Sequence, residues 1–98
     1  MTYARIMDRH IEITPGMAGG KPRITNHRIT VQDVVIWHER MGLGADEIAA
    51  EYNLTLADVY AALAYYYDHL DEIDASIRSD EKLVETLRAS ISSKLSET

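Results

Sequence analysis

Segment 15–22, which reads Pro-Gly-Met-Ala-Gly-Gly-Lys-Pro, contains the Gly-Lys pair of a phosphate-binding loop. Such a loop also needs a Gly five positions before that pair and a Ser or Thr after the Lys, because amides and a hydroxyl contact phosphate and magnesium. Pro15 and Pro22 occupy those two positions. Since Pro has neither an amide hydrogen nor a hydroxyl, we expect a turn-rich loop and no nucleotide cofactor.

A second segment, His38 to Gly42, begins like the metal-binding helix of a zinc protease. Gly42 stands where that helix has its second His, so the pair of ligands is incomplete. The other His residues are scattered along the chain, and the chain has no Cys. No thiolate ligand, disulfide or Cys nucleophile is therefore available, and we expect no metal site.

The remaining polar clusters do not form a catalytic set. Most Ser residues lie in the last two dozen positions, away from any His, so no triad is indicated. The acidic run 68–74 lacks the Gly of a calcium-binding loop and is typical of a solvated helix face. We expect no catalytic residues, no cofactor and no enzymatic activity.

Three consecutive tyrosines, Tyr65 to Tyr67, are candidates for stacking on bases. On a helix they point in different directions, so a continuous stacking platform is not expected. The alternative is that they divide between the core and an interface.

The charge is unevenly distributed along the chain. The net charge of −6 argues against a general nucleic-acid binder. Lys21, Arg23 and Arg28 nevertheless form a basic group before the first helix, whereas acidic residues dominate after residue 54. If DNA is bound, this group should contact phosphate; alternatively, it only packs across the helices with its charges in solvent.

The elements that must position these residues begin with a weak strand pattern, Ile-Glu-Ile-Thr, at residues 11–14. Segment 23–29 is either a tight hairpin or a single extended arm. Thr30 and Asp33 have capping-box spacing and predict a first helix that ends at Gly42. Gly44 can begin the next helix.

A short second helix is expected over about Ala45 to Tyr52, with Asn53 in a left-handed turn. Thr55 and Asp58 form a second capping box, so a third helix should start at Leu56. We predict one inner and one outer apolar face for that helix. The inner face comprises Leu56, Val59, Leu63, Tyr66 and Leu70, and the outer face Tyr60, Ala61, Ala64 and Tyr67.

Segment 72–95 contains no Pro or Gly and has apolar residues at helical spacing. We expect one long helix, or two pieces bent near Ser79, where Ser and Asp can cap a new helix. The stripe comprises Ile73, Ile77, Val84, Leu87, Ile91 and Leu95.

These elements fit a single domain of 98 residues. Its segments are an arm and loop (1–30), a helix-turn-helix core (31–70) and a helical extension (71–98). Charges at Arg5, Asp8 and Arg9 argue against a signal peptide, and no apolar stretch approaches the length of a membrane span. We expect a cytoplasmic protein.

Several short motifs, in a specific order and spacing, resemble the domain of unknown function 433 family. They are Gly20-Lys21-Pro22-Arg23-Ile24, Arg28-Ile29-Thr30-Val31, Gly42, Asp46-Glu47-Ile48, Tyr52, Leu54-Thr55, Asp58-Val59 and Ala62-Leu63-Ala64-Tyr65. The resemblance covers about Ile11 to Tyr67. The family usually has Gly-Thr before the Arg, where this chain has Asn26-His27; Asn can hold the same turn as Gly.

The resemblance implies a homeodomain-like helical bundle. Together with the elements predicted above, the expected fold is mainly α: a homeodomain-like three-helix bundle with a helix-turn-helix, a short N-terminal β arm and an added C-terminal helix. It also implies an antitoxin of the VapB type that pairs with a PIN-like ribonuclease toxin and often represses its own operon. A homodimer would be consistent with this role. The candidate DNA contacts are Lys21, Arg23, Arg28, Thr55, Ala57 and Tyr60, and the candidate partner or dimer contacts are Tyr67, Ile77, Val84, Leu87 and Ile91.

Two hypotheses about function follow. In the first, the protein is an antitoxin that binds both operator DNA and its toxin. In the second, it is a dimeric protein-interaction module that binds no DNA. The second is motivated by the net charge and by the third helix, which has no Lys or Arg to contact base edges.

Overall fold

The computed structural model describes residues 10–96, with side chains up to Ser92. The charged residues Arg5, Asp8 and Arg9, together with the side chain of Leu95, lie outside the described part. The described chain is mainly helical, with a two-stranded sheet at its start.

The N-terminal segment forms a small antiparallel sheet. Strand β1 (Ile11–Glu12) pairs with β2 (Arg23–Ile24), so that Ile11 lies opposite Ile24. Of the two alternatives for segment 23–29, the hairpin is the one found, because the amide of Ile24 donates to the carbonyl of Ile29. Asn26 takes a left-handed conformation (φ 66°) in the turn, as Gly would.

Helix α1 begins where the sequence predicts, but the turn before its predicted end at Gly42 is π-helical and not α-helical. It spans Val31–Val35, and Thr30 and Asp33 form the expected capping box. The following turn, Ile36–Arg40, is a π-helical turn in which the amide of Met41 donates to the carbonyl of Ile36. The chain then leaves the helix at Gly42 (φ 73°), as predicted.

Two helices joined by a sharp bend follow. Helix α2 spans Ala45–Tyr52 and α3 spans Leu56–Asp68. Asn53 lies in the left-handed region (φ 55°), and Thr55 caps α3 through the second predicted capping box. The predicted bend and both helix boundaries around it are therefore confirmed.

The last element, α4, is a single helix over Leu70–Ser96. It continues through Ser79, so the predicted alternative of two pieces bent near that residue is wrong. The break lies earlier, at His69, whose backbone is not helical and whose ring stacks on Tyr65.

One core joins all these elements. Its fully buried members come from both strands and all four helices, and they include Ile11, Ile24, Val31, Val34, Ile48, Val59 and Ile77. Beside them, Trp37 in the π-helical turn after α1 and Tyr52 at the end of α2 stack with ring centroids 3.7 Å apart. The segments 1–30, 31–70 and 71–98 thus share a core as far as they are described.

Two residues of the predicted inner face of the third helix are exposed instead. Leu56 is the first residue of α3 and Leu70 the first residue of α4. Each therefore lies at the end of a helix, beyond the part that packs on the core. Val59, Leu63 and Tyr66 are buried as predicted.

Candidate interaction surface

Arg23, a candidate phosphate contact, is buried and is only 7% exposed. It is paired with the carboxylate of Glu12, and it also donates hydrogen bonds to Thr14 Oγ1 (3.1 Å) and to the carbonyl of His27 (2.9 Å). Because this guanidinium holds the arm together, it is not available to DNA. Arg23 therefore fits the alternative prediction, in which the arm packs across the helices. It differs from that prediction in one respect, because its guanidinium is buried and not in solvent.

Lys21 is also bound within the chain. Its Nζ lies 2.6 Å from Asp80 Oδ2, and the same oxygen accepts a hydrogen bond from Gln32 Nε2 at 2.7 Å. Gln32 Oε1 in turn accepts a hydrogen bond from Ser76. These contacts lower the pKa of Asp80, mainly through the hydrogen bond from Lys21. A phosphate at Lys21 would have to compete with this carboxylate.

Arg28 is the exposed member of the basic group. It lies beside Gly16, Met17 and Ala18 of the glycine-rich loop, at the rim of a depression of about 400 Å³. The three basic residues are therefore not one surface, since Arg23 is buried and Lys21 faces α4.

The N-terminus of α3 carries the other three candidate DNA contacts, Thr55, Ala57 and Tyr60, and all three are exposed. The hydroxyl of Thr55 accepts a hydrogen bond from the amide of Asp58 (3.0 Å) and so caps the helix. Burial raises the pKa of Asp58, but hydrogen bonds from His10 and Thr55 outweigh it and lower that pKa. A carboxylate thus lies next to the surface that would meet phosphate.

An apolar stripe runs along the exposed side of α3, and we call it the α3 stripe. Its members are Leu56, Tyr60, Ala64 and Tyr67, spaced four, four and three residues apart. Tyr60 is 58% exposed, and none of the four is charged. The Tyr67 hydroxyl donates a hydrogen bond of 2.7 Å to Glu39, which raises the pKa of Tyr67. Three residues of the predicted outer face, Tyr60, Ala64 and Tyr67, lie here, and no described residue covers them. The fourth, Ala61, is half-buried and packs against the core instead.

Two of the three tyrosines lie in the core, as predicted, and the third lies on the surface, where the predicted interface stays a prediction. Tyr65 and Tyr66 are buried, and the hydroxyl of Tyr66 donates to Asp74 on α4 at 2.8 Å. That hydrogen bond and burial raise the pKa of Tyr66 to about 12. Tyr67 alone of the three lies on the surface.

A second apolar surface lies on the outer half of α4. Val84, Leu87 and Ile91 are exposed at spacings of three and four, and we call them the α4 stripe. Ile77 was assigned to the same interface by its spacing, but it is 1% exposed and packs in the core of its own chain. The stripe therefore changes from internal to external between Ile77 and Val84.

The Gly-Lys pair and the His38 segment, considered above as chemical motifs, make hydrogen bonds within the chain. Lys21 of the Gly-Lys pair is bound to Asp80, and His38 donates through Nδ1 to the carbonyl of Leu43 at 2.8 Å, which holds the turn after α1. Within residues 10–96, no three acidic or His side chains are grouped so that they could hold a metal ion.

Comparison with known proteins shows the family to which the chain is related. The family model described as "Protein of unknown function (DUF433)" matches residues 11–66, from β1 almost to the end of α3. The chain belongs to the DUF433 family. Its sequence-based assignment over about Ile11 to Tyr67 is thereby confirmed.

A solved DUF433 structure is similar in both sequence and fold. The crystal structure of a DUF433 member protein from Anabaena variabilis is 38% identical, with a TM-score of 0.68. The similarity covers 78% of this chain and 75% of that one. No curated protein matches the chain. The match to the family model ends at residue 66, before α4 begins, so the α4 stripe lies outside the part of the chain that this model covers.

Two tertiary contacts near the candidate surfaces of this DUF433 chain were not predicted from the sequence. One is the network of Lys21, Gln32, Ser76 and Asp80, and the other is the hydrogen bond from Tyr67 to Glu39. The only signal for the first was the position of Asp80, a charged residue where the spacing of the α4 apolar residues calls for an aliphatic one.

Proposed function

We propose that this protein is an antitoxin-like interaction module that binds a protein partner through the α3 stripe, and that it is not itself an enzyme. The observation that carries the proposal is the character of that stripe: two exposed tyrosines and a leucine on one helix face, without Lys or Arg. Exposed aromatic side chains beside small ones are typical of protein-binding surfaces. Base readout, in contrast, normally uses Arg, Lys, Asn or Gln.

The partner to test first is a PIN-like ribonuclease, because of the resemblance to VapB-type antitoxins. Tyr60 and Leu56 project from the first turns of α3 and would enter an apolar recess on such a partner. Ala57 and Ala64 beside them allow close approach of the partner's backbone.

The described part of the chain contains no helix long and apolar enough to cross a membrane. We place this interaction in the cytoplasm.

The decisive experiment compares two substitutions at equally exposed positions. Tyr60→Ala removes the centre of the α3 stripe, and Leu83→Ala removes an apolar side chain that is also 58% exposed but lies on α4. With a PIN-like nuclease encoded beside the gene, Tyr60→Ala should weaken binding at least about tenfold, as expected for a central aromatic contact. Leu83→Ala should leave binding and nuclease inhibition unchanged. Equal binding by both variants and the parent protein would refute the proposal.

DNA binding is the second candidate, and the arrangement of α2, Asn53 and α3 favours it. Two helices joined by a bend of this kind are typical of a helix-turn-helix. As part of this second proposal, α1, α2 and α3 are arranged as the three helices of a homeodomain. The contacts would be Thr55, Ala57 and Tyr60 in the groove and Arg28 on phosphate. With Arg23 buried and Lys21 bound to Asp80, only Arg28 of the predicted basic group remains available for phosphate.

A gel shift with the promoter of its own gene, at two salt concentrations, tests this second function. Because only one cation of the predicted basic group is available, we expect weak binding with a shallow dependence on salt. Arg28→Ala should lower the slope of log affinity against log salt by about one unit, as for one lost phosphate contact. Absence of any salt-sensitive shift at micromolar protein would remove DNA binding from the proposal.

A further inference from the structure

The apolar stripe of α4 begins inside the fold and continues outside it. Ile73 and Ile77 are buried in the core, and Val84, Leu87 and Ile91 continue at the same alternation of three and four residues. This alternation is the heptad repeat of helices that pack against other helices. Ile91, at its outer end, is 59% exposed.

Among residues 10–96, which the structure describes, none covers the outer half of α4. Every residue from Glu81 to Ser92 is exposed. An isolated helix of this length is marginally stable in water, and most helices in proteins are stabilised by packing of an apolar face. The exposed stripe therefore needs a partner helix or an equivalent surface.

A groove of about 470 Å³ lies where the stripe emerges, between α1 and α4. Its α4 wall includes Ile77, Asp80, Glu81 and Val84, which are related as i, i+3, i+4 and i+7. These are the four positions that form a hole for one side chain of a packed helix. On the α1 side, Ile36 adds a further apolar surface.

We propose that the occupant of this groove is α4 of a second copy of the chain, packed antiparallel. The axis of symmetry lies between Glu85 and Thr86, so that Val84 meets the partner's Leu87. Ile91 of each copy then enters the groove of the other, opposite Asp80. The two α4 stripes cover each other, and the two helical bodies lie at opposite ends of the pair.

Charge complementarity selects this orientation. Flanking the stripe, Glu81 and Arg88 occupy equivalent heptad positions, one repeat apart. In the antiparallel pair, Glu81 lies opposite the partner's Arg88, and the symmetry repeats this contact. Glu81 also pairs with Arg40 of its own chain, and a carboxylate can accept from both cations.

The parallel orientation lacks this complementarity. There, Arg88 lies next to Leu83, and Asp80 faces Asp80 of the other copy in the apolar seam. Like charges in that position repel each other. The parallel pair would also bring the two helical bodies side by side at the same end of the helices.

The first test is the oligomeric state of the full chain, measured by light scattering after size exclusion. The parent protein should have the mass of two chains. Leu87→Glu places a charge in the seam and should reduce the mass to one chain at the same concentration. Ala89→Glu, an exposed position on the opposite side of α4, should remain dimeric. Circular dichroism of each variant verifies that the helices persist.

The second test determines the orientation and uses the absence of Cys from the natural chain. In the antiparallel pair, Ile91 of one copy is displaced from Ile91 of the other by eleven residues, or about 16 Å along the helix. Ile91→Cys should therefore form no disulfide under oxidising conditions. The double variant Val84→Cys/Leu87→Cys should crosslink, because those two positions face each other.

Three results would overturn the inference: a monomeric parent protein, a Leu87→Glu variant that is still dimeric, or a disulfide formed by Ile91→Cys. If Leu87→Glu reduces helicity, the parent mass and the Ile91→Cys variant still decide. The inference is independent of the function proposed for the α3 stripe. Loss of partner binding in Tyr60→Ala and loss of the dimer in Leu87→Glu are separate outcomes.

Discussion

Lys21 Nζ donates a hydrogen bond of 2.6 Å to Asp80 Oδ2 and so connects the glycine-rich loop with the middle of α4. The two residues are 59 positions apart. Gln32 of α1 donates to the same carboxylate oxygen. Three separate elements thus meet at one carboxylate, which makes its charge a determinant of how the helices are held together.

The charge of Asp80 should make stability depend on pH in the acid range. Its pKa is lowered from the ordinary value of 3.8 because Lys21 and Gln32 donate to the ionised form. The stability that ionised Asp80 contributes is fully present above the pKa that this group has in the unfolded chain. It is lost as the pH falls through the lower pKa that the group has in the folded chain. Urea unfolding from pH 6 to pH 2.5 should therefore show a smaller acid-side loss for Asp80→Asn than for the parent protein. Glu85→Gln, an exposed neighbour on α4, should retain the parent profile.

Arg23 should be important for stability, whereas Arg28 should not. Arg23→Met leaves the Glu12 carboxylate, Thr14 and the carbonyl of His27 without their donor. Because Glu12 retains some solvent, we expect a loss of about 2 kcal/mol or slightly more, below the range for a fully buried pair. Arg28→Met, at an exposed site of the same hairpin, should change the free energy of unfolding by less than about 0.5 kcal/mol. Similar losses in both variants would contradict the assigned role of Arg23.

Asn53 should be replaceable by Gly but not by Ala. Its left-handed conformation costs an Ala residue about 1 kcal/mol or more, whereas Gly adopts it freely. Chemical unfolding should thus rank Asn53→Ala below Asn53→Gly by about 1 kcal/mol. An Ala variant as stable as the Gly variant would show that the bend between α2 and α3 does not need this conformation.

Trp37 provides a spectroscopic measure of the contact between the π-helical turn after α1 and helix α2. It is the only Trp, and it stacks on Tyr52 with an interplanar angle of 2°. Tyr52→Leu should change the Trp emission maximum and cost about 1 kcal/mol for the lost aromatic pair. Tyr60→Leu, on the exposed α3 stripe, should change neither quantity. Unaltered emission in Tyr52→Leu would contradict the stacked geometry.

Features set by neighbouring residues were predictable from sequence. The capping boxes at Thr30 and Thr55 and the left-handed residues Asn53 and Gly42 each depend on a few consecutive positions. The capping side chains bond to backbone atoms within the same turn, and the left-handed residues need only their own backbone conformation, so local spacing is sufficient. The bounds of α2 and the start of α3 follow directly from them.

Features that depend on distant contacts were not predictable. The basic group resembles a phosphate-binding arm until Glu12 and Thr14 are seen to surround Arg23, which is a tertiary fact. The periodicity of α4 likewise predicts a stripe but not the point at which the rest of the chain stops covering it. That point separates Ile77 from Val84 and depends on the size of the helical body.

The continuity of α4 through Ser79 restricts how the length of this chain can vary. Each residue advances an α-helix by about 100°. A single insertion or deletion between Ile77 and Val84 would turn the outer apolar residues to another side of the helix, even though no residue type was lost. Only changes close to a whole number of turns would keep the two halves aligned, so relatives that vary here should differ by about seven or about eleven residues.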